Sequence, residues 1–313
     1  MGVAGRVALA AAVVAVGLSP LRAQHPNTPR PGSNNEWAQF KDAQPALYRL
    51  RLEERNGYDI SNTKERVAQL VERLSAQSKA MPYSDYTGFS DFLRQALSNQ
   101  NQTGARNINL AFFEGVLAGD YDCDRACFVA AQVASMKGYH VSFVFTRDHM
   151  MLMLDGKHYA NVAGMSDPAS KDALEANYGP VCFETDDLKT ASFVVYNNLA
   201  LKKHALGETA VAISLADTAI ALAPKVARLY YNRAFFKTAH GDLKGAENDL
   251  KTGLALDPKD DWLYYQLYKV SMAKKDYRAA FGYLKAAREL APNDQEYRDK
   301  NVELWKSHPE IRY

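Results

Sequence analysis

The chain has 313 residues, of which 47% are hydrophobic and 24% are charged, and its formal net charge is +2. This length exceeds one ordinary hydrophobic core, so two or three structural units are expected, and the composition is that of a globular protein. The small net charge argues against nucleic acid as a partner, because nucleic-acid binding requires a strongly basic surface.

Residues 1–23 have the pattern of a secretory signal peptide, with a positive charge at Arg6, an apolar stretch over 7–18 and a cleavage-site pattern at 21–23. An uncleaved anchor is the alternative, although the apolar stretch is short for a membrane span. The pattern predicts an exported protein, secreted or periplasmic, with no membrane attachment after cleavage.

Four helical patterns follow a stretch over 24–35 that is rich in Pro, Asn and Gln and is expected to be a disordered leader. The predicted helices are Trp37 to Arg55, Thr63 to Ala80, Phe89 to Leu97, and Ile108 to Leu117. The second pattern is the clearest, because its apolar residues repeat at helical spacing after residues that can cap a helix.

The pattern changes from Val141 onward. Apolar residues alternate in Val141, Phe143 and Phe145, and Asp155-Gly156 is a strong hairpin signal. Helices followed by a small antiparallel sheet predict an α+β fold for this part of the chain.

The C-terminal third carries an internal repeat. Pro224, Pro258 and Pro292 lie 34 residues apart, and each ends a similar apolar phrase. Small residues recur upstream at one offset, at Ala212, Ala246 and Ala280. This is the pattern of the tetratricopeptide repeat, in which small residues let two helices pack closely and Pro ends the second helix.

The repeat predicts an all-α solenoid over 191–307. Residues 193–292 are expected to form six helices in three antiparallel pairs, followed by a capping helix at Asn301 to Ser307. Such a module is expected to bind a protein or peptide. Tyr231 and Tyr265 are the candidates for lining a peptide groove, and packing in the inter-helix core is the alternative for the tyrosines of this module.

Three residues upstream of the repeats could form a catalytic site. Cys123 precedes an Ala-rich helical pattern, His149 opens a later strand, and Asn161 lies on the strand after that. A thiol, an imidazole and an amide in this order can form a Cys-His-Asn site, which performs acyl-transfer chemistry.

The register of the hairpin decides whether this site can form. A three-residue loop over 154–156 would place His149 opposite Asn161, whereas a two-residue turn at 155–156 would point Asn161 to the other face. In the first register His158 lies on the opposite face from His149, and it is predicted to be non-catalytic.

Residues 105–165 resemble the transglutaminase-like cysteine hydrolase superfamily. The resemblance rests on a Cys-led helix with Gly138 fifteen residues on, an aliphatic strand after it, and a strand that opens at His149. The Tyr-Asp-Cys-Asp segment at 121–124, followed by tetratricopeptide repeats, is similar to a bacterial subgroup of that superfamily.

The resemblance implies a papain-type α+β domain over 36–190, with Cys123 as the nucleophile and His149 as the base. The third residue of the superfamily is usually an Asp on the next strand. This sequence has no Asp there, and Asn161 is the best substitute, as in related Cys-His sites. Because Asn brings no charge, Asn161→Asp is expected to preserve or raise thiol reactivity.

The chemistry of these residues leaves alternatives open. The dipole of a helix that starts at Cys123 favours the thiolate, whereas Asp122 and Asp124 oppose it. A structural or disulfide-bonded cysteine is the alternative for Cys123, and a solvated turn histidine is the alternative for His149. A metal site formed by Cys123, His149 and His158 is a third possibility, but their spacing matches no zinc pattern. Neither a metal nor a cofactor is expected.

The chain has three cysteines. In an oxidising compartment an odd count indicates one disulfide, and a Cys127–Cys182 pair would leave Cys123 as a thiol. Three reduced cysteines are the equal alternative.

The predicted function is an exported cysteine hydrolase of the peptidase or amidase kind, acting on an amide or thioester bond. Its repeat module would bind a protein or peptide. The rival interpretation is a catalytically inactive scaffold for protein–protein interaction, and the Asn in place of Asp supports it.

Overall fold

The computed structural model describes residues 45–57, 60, 63–97, 123–147, 149–164 and 166–308. The predicted signal peptide, the leader and the helix at Ile108 to Leu117 lie outside these residues. Contacts divide the described chain into two units, one from residues within 45–198 and 218–226, the other from 199–217 and 227–308. In the part of the chain that the structure describes, every helix is too short or too polar to cross a membrane.

The first unit joins helices to a four-stranded antiparallel sheet. Its helices are α1 (Pro45–Arg55), α2 (Thr63–Ser78), α3 (Tyr86–Leu97), α4 (Cys123–Lys137), α5 (Lys171–Tyr178) and α6 (Leu188–Ala191). Its strands are β1 (Val141–Thr146), β2 (Met150–Leu154), β3 (His158–Ala160) and β4 (Val181–Thr185), in the order β3-β2-β1-β4.

The predicted helices of this unit differ from the observed ones at their ends. Of the predicted helix Trp37 to Arg55, the described part is α1, and α2 ends before the predicted Ala80. Helix α3 begins before the predicted Phe89, because the Asp85 carboxylate accepts a hydrogen bond from Gly88 N at 2.9 Å. This cap starts the helix at Tyr86. The sequence pattern predicts a later start at Phe89, which is the first buried apolar residue of the helix.

Helices α4 and α5 pack on opposite faces of the sheet. On one face the ring of Phe128 in α4 contacts the ring of Phe143 in β1, with centroids 5.2 Å apart. On the other face Met151 and Met153 of β2 share a buried cluster with Leu174 of α5. Because side chains alternate along a strand, the odd-numbered residues of β2 point to the α5 face.

The β2–β3 hairpin has neither of the predicted registers. Leu154 pairs with His158, so the loop consists of residues 155–157. The predicted pairing of His149 with Asn161 is therefore wrong by two residues, and the two-residue turn is wrong as well. A shift of two residues returns every side chain to the same face, so Asn161 still lies on the face of His149.

Asp155 holds the loop in this register. It adopts a left-handed conformation with φ of 52°. Its Oδ1 accepts a hydrogen bond from His140 N at 2.8 Å, and its Oδ2 accepts from the hydroxyls of Tyr83 and Tyr86 at 2.9 and 3.0 Å. Burial alone would raise the pKa of Asp155, but these three hydrogen bonds outweigh burial and lower the pKa. The loop is thus fixed by tertiary contacts that a local turn pattern does not contain.

The second unit is a helical solenoid, as the repeat predicts. The helices of this region are α7 (Phe193–Ala205), α8 (Thr209–Leu222), α9 (Ala227–His240), α10 (Leu243–Leu256), α11 (Asp261–Ala273), α12 (Tyr277–Leu290) and α13 (Gln295–Ser307). Residues 193–292, all of them described, therefore contain the six predicted helices. Helices α7 and α8 contribute residues to both units.

The small residues of the repeat lie at close helix contacts. Ala212, Ala246 and Ala280 are each 0% exposed. Gly253 approaches α11 in the same way, because a Cβ atom at that position would lie 2.9 Å from Leu263 Cδ2. Small side chains at these positions therefore let neighbouring helices approach each other.

Aspartate caps recur at the same 34-residue period as the prolines. Asp242 and Asp276 accept hydrogen bonds from backbone N–H groups at the starts of α10 and α12. Asp260 and Asp294 do the same for α11 and α13. Helix α13 starts directly after Asp294, so the predicted capping helix at Asn301 to Ser307 is too short.

Replacing Ala246 by Leu should destabilise the repeat unit. The residue is 0% exposed, so a larger side chain must displace its neighbours, at a cost of about 1–3 kcal/mol in the free energy of unfolding. Equilibrium denaturant unfolding measures the loss. The control is Ala255→Leu in the same helix, because Ala255 is exposed. An equal loss in both variants would contradict the close contact at Ala246.

Candidate functional site

Asn161 is a buried residue whose polar groups all form hydrogen bonds, and it is 0% exposed. Its backbone N–H donates to Asp167 Oδ1 at 2.9 Å, and its backbone carbonyl accepts from Arg94 Nε at 3.0 Å. Its Nδ2 donates to Ser166 O at 3.1 Å and to Tyr178 Oη at 2.8 Å. These bonds fix both the backbone and the amide of Asn161.

The Asn161 amide determines which nitrogen of His149 carries the proton. Asn161 Oδ1 lies 2.7 Å from His149 Nε2. Because the Ser166 carbonyl can only accept, the amide atom that faces it is the Nδ2 donor, and Oδ1 is the atom that faces the ring. An amide oxygen also only accepts, so Nε2 of the neutral ring carries the proton and Nδ1 carries the lone pair. The site therefore selects the tautomer in which Nδ1 can act as a base.

The ring and the backbone of His149 are held separately. Tyr178 stacks on the ring, with centroids 4.4 Å apart and planes at 19°. His149 N donates to Thr146 Oγ1 at 3.1 Å, and His149 O accepts from Thr146 N at 2.9 Å. Tyr178 thus contacts both members of the His149–Asn161 pair, and α5 positions them together.

Cys123 stands in the first turn of α4, which lies beside the start of β2. One turn further along, Cys127 Sγ donates to Met150 O at 3.4 Å, and Met150 directly follows His149. Strand alternation places the side chain of His149 on the α5 face, whereas α4 covers the other face. A contact between Cys123 and His149 would therefore be made around the end of β2.

Arg49 offsets the charge next to Cys123. Arg49 Nη1 lies 2.8 Å from Asp124 Oδ2, and Asn198 Nδ2 donates to the same oxygen at 2.6 Å. The expected opposition of Asp124 to a Cys123 thiolate is reduced by this buried ion pair. Asp122 lies outside the described residues.

All three cysteines are described, and each is present as a thiol. Cys127 is buried, and Cys182 Sγ lies 3.4 Å from Pro180 O. The predicted Cys127–Cys182 disulfide is therefore not formed, and the reduced alternative is the observed one.

An Asp would fit position 161 less well than the Asn that is there. The oxygen that replaced Nδ2 would face Ser166 O at the present donor distance of 3.1 Å. Two acceptors at that separation repel each other, and neither can satisfy the other. This repulsion concerns the stability of the variant, and the expectation that Asn161→Asp preserves or raises thiol reactivity stays a prediction.

Sequence reasoning missed the residues that hold Asn161. Arg94 comes from α3 and Tyr178 from α5, so neither is close to the pair along the chain. The glycine at position 164 is a trace of this packing in the sequence, because a Cβ atom there would lie 2.0 Å from Asn161 Nδ2. Only glycine leaves room at this position for the buried amide.

His158 belongs to a different pair at the other end of β2. Its Nε2 lies 2.7 Å from Asp167 Oδ2, and it pairs with Leu154 next to the hairpin loop. The Cys127 contact with Met150 lies at the opposite end of the strand. Within the described ranges, no three His, Cys, Asp or Glu residues are placed to hold a metal ion.

The two groove candidates lie in different environments. Tyr265 is 4% exposed and packs with Tyr297 of α13, so it belongs to the inter-helix core and not to a groove wall. Tyr231 is half-buried, its hydroxyl accepts from Gln266 Nε2 at 3.0 Å, and the Arg228 guanidinium lies 4.7 Å from its ring centroid. Of the two, Tyr231 remains a groove candidate.

Residues 237–300 match the family model for the tetratricopeptide repeat. This segment is a tetratricopeptide-repeat region, which confirms the helical repeat predicted from the 34-residue period. No curated protein matches the chain. The predicted transglutaminase-like domain stays a prediction.

Solved repeat domains are similar to part of the chain. The first TPR of Spaghetti, bound to the HSP90 peptide SRMEEVD, is 19% identical with a TM-score of 0.36, covering 38% of this chain and 96% of that one. The TPR domain of OM64 from Arabidopsis is 19% identical with a TM-score of 0.37, covering 38% and 98%. The Sgt2 TPR domain from Aspergillus fumigatus is 21% identical with a TM-score of 0.36, covering 38% and 80%.

Replacing Gly164 by Ala should destabilise the first unit. The new Cβ would lie 2.0 Å from Asn161 Nδ2, and the hydrogen bonds of that amide prevent it from moving aside. We expect a loss of about 1–3 kcal/mol in the free energy of unfolding, measured with denaturant. The control is Ala163→Ser, which adds one heavy atom at the exposed neighbouring position. Unchanged stability in Gly164→Ala would contradict the tight fit.

Replacing Asn161 by Asp should lower stability at neutral pH, by about 1–3 kcal/mol, because the carboxylate would face the Ser166 carbonyl. Protonation restores a donor towards that carbonyl, so the folded state favours the protonated acid. Stability relative to wild type should therefore rise as the pH falls from 7 towards 5. Thermal unfolding at several pH values measures this trend. A variant as stable as wild type at pH 7 would contradict the assigned amide orientation.

Proposed function

We propose that this chain is an exported cysteine hydrolase of the transglutaminase-like type. Residues 36–190 are the proposed catalytic domain, and residues 191–307 are a repeat module that binds a protein or peptide. The observation that carries the proposal is the 2.7 Å contact between His149 Nε2 and Asn161 Oδ1. A thiol nucleophile needs a base of fixed orientation and tautomer, and this contact supplies one.

Cys123 is the proposed nucleophile, and His149 Nδ1 takes the proton of its thiol. The thiolate attacks the carbonyl carbon of an amide or thioester. The imidazolium then protonates the leaving nitrogen or sulfur, and an acyl thioester remains on Cys123. Nδ1 next takes a proton from water, whose oxygen attacks the thioester, and the thiol is restored as the carboxylic acid leaves.

Asn161 has two tasks in this scheme. It keeps the ring aimed, and its Oδ1 accepts from the Nε2 proton while the ring is positively charged. An amide supplies no negative charge, so it stabilises the imidazolium less than a carboxylate would. The hydrogen bonds formed by every polar group of Asn161 instead support a precise orientation of the His149 ring.

Three observations support Cys123 as the nucleophile. The first turn of a helix favours a thiolate through the helix dipole. Arg49 offsets the charge of the adjacent Asp124. Cys127 donates to a backbone carbonyl and is buried, which favours a structural role for it. Hydrolysis is preferred over cross-linking, because water is the default acceptor.

The repeat module is proposed to hold a protein or peptide. Tetratricopeptide repeats mediate such binding, and the similar Spaghetti domain is bound to an HSP90 peptide. Tyr231 with its neighbour Trp262, whose ring centroids are 6.4 Å apart, is the proposed contact surface. Export, to a secreted or periplasmic location, is proposed from the pattern of residues 1–23.

The second candidate function is a catalytically inactive scaffold for protein–protein interaction. The observation that favours it is the placement of α4 and the His149 ring on opposite faces of the sheet. If the thiol does not reach around the end of β2, the His149–Asn161 pair is only a structural element of the first unit.

A thiol-reactive probe should separate the two functions. Cys123 should be alkylated at neutral pH faster than an ordinary cysteine, and the fast reaction should disappear in Cys123→Ala. His149→Ala should slow it by about tenfold or more, because the thiolate loses its partner. Cys182→Ala is the matched control and should leave the fast reaction intact. If Cys123 and Cys182 react at the same ordinary rate, the scaffold is the correct function.

A further inference from the structure

Asp167 connects the candidate site to three elements of the first unit. Its Oδ1 accepts from Asn161 N at 2.9 Å and from Ser90 Oγ at 2.8 Å, and its Oδ2 accepts from His158 Nε2 at 2.7 Å. Arg94 Nη2 forms an ion pair with the same carboxylate, whose side chain is only 8% exposed. A buried carboxylate with this many donors is a fixed point in the structure.

Asp167 and Arg94 hold the backbone of Asn161 from both sides. Asp167 accepts from the N–H of Asn161, and Arg94 Nε donates to its carbonyl at 3.0 Å. Arg94 and Asp167 are joined to each other, so the two contacts form one clasp around a single residue.

The sheet does not hold Asn161 in this way. The last ladder pair of β2 and β3 in the described structure joins Leu152 to Ala160, and Asn161 lies one residue beyond it. Ladder hydrogen bonds therefore stop just before the residue that must be aimed most accurately. Beyond the end of the ladder, Asp167 and Arg94 hold the Asn161 backbone by hydrogen bonds.

The carboxylate keeps its charge at neutral pH. Burial alone would raise the pKa of Asp167, but hydrogen bonds from His158, Asn161 and Ser90, together with the charge of Arg94, outweigh burial and lower the pKa. The charged form accepts from all of its neighbours at once, so the form that the clasp requires is the one present at neutral pH.

We propose that Asp167 is the positioning residue of the His149–Asn161 pair, holding the Asn161 backbone so that Oδ1 faces His149 Nε2. The proposal rests on the proposed hydrolase function, in which that pair orients the base for Cys123. Asp167 acts through Asn161 and takes no part in proton transfer.

The test compares Asp167→Asn with Asp91→Asn in the full chain. Asp91 also pairs with Arg94, but its side chain is 49% exposed, and it is not one of the residues that hold Asn161. The control thus removes a carboxylate charge that pairs with the same arginine, and it leaves the contacts of Asp167 and Arg94 with Asn161 in place. The first readout is the rate of Cys123 alkylation by iodoacetamide across pH, and the second is the Nε2–H proton of His149 by NMR.

Asp167→Asn should slow Cys123 alkylation at neutral pH by about tenfold, the size expected when a hydrogen bond to a charged group is lost. The pH midpoint of the reaction should rise, because a poorly held imidazolium stabilises the thiolate less. The Nε2–H signal should exchange faster or vanish. Asp91→Asn should match wild type in both readouts.

The outcomes distinguish a failure of the role proposed for Asp167 from a failure of the proposed hydrolase function. Fast alkylation in wild type, with an unchanged pH profile and Nε2–H signal in Asp167→Asn, would overturn the role of Asp167 and leave the hydrolase standing. Ordinary alkylation in wild type would overturn the hydrolase, and the Nε2–H signal would then decide the role of Asp167 alone. If Asp167→Asn does not fold, Ser90→Ala replaces it. That variant removes one bond to Oδ1 and should give a smaller change in the same direction.

Discussion

The hydrogen bonds of Asn161 are the constraint on which the candidate site depends. This amide is 0% exposed, and a polar group left unpaired at such a position costs about 1–3 kcal/mol, so every neighbour that satisfies it is held in place by the same requirement. Arg94 ties α3 to it, Tyr178 ties α5 to it, and Asp167 ties the segment between β3 and α5 to it. The tautomer of His149 follows from the orientation that these partners impose.

Helix α4 and the His149 ring lie on opposite faces of the sheet. Helix α4, which begins at Cys123, covers one face, while His149 and Tyr178 stack on the other. The contact of Cys127 with Met150 O brings the first turns of α4 to the start of β2.

The repeats were predictable because the same packing of two helices, with the same small residues and prolines, recurs along the chain. The prolines and small residues that reveal the period are needed in each repeat, and the capping aspartates follow the same period without having been recognised. The hairpin register was not predictable, since Asp155 is held by Tyr83 and Tyr86 from far along the chain. The sheet face on which Asn161 lies was predicted, because a register shift of two residues leaves each side chain on the same face. The contacts of Arg94 and Asp167 with Asn161 could not be predicted, because only the fold brings these two residues together.

The most direct test of this account is a titration of thiolate absorbance in the ultraviolet. The measurement compares wild type with Cys123→Ser and His149→Ala. If Asn161 aims His149 at Cys123, one thiolate appears well below the pH at which ordinary cysteines ionise. That early step should be absent in Cys123→Ser and should return to the ordinary range in His149→Ala. Three thiols that ionise together in the ordinary range, in wild type and in His149→Ala alike, would contradict the account.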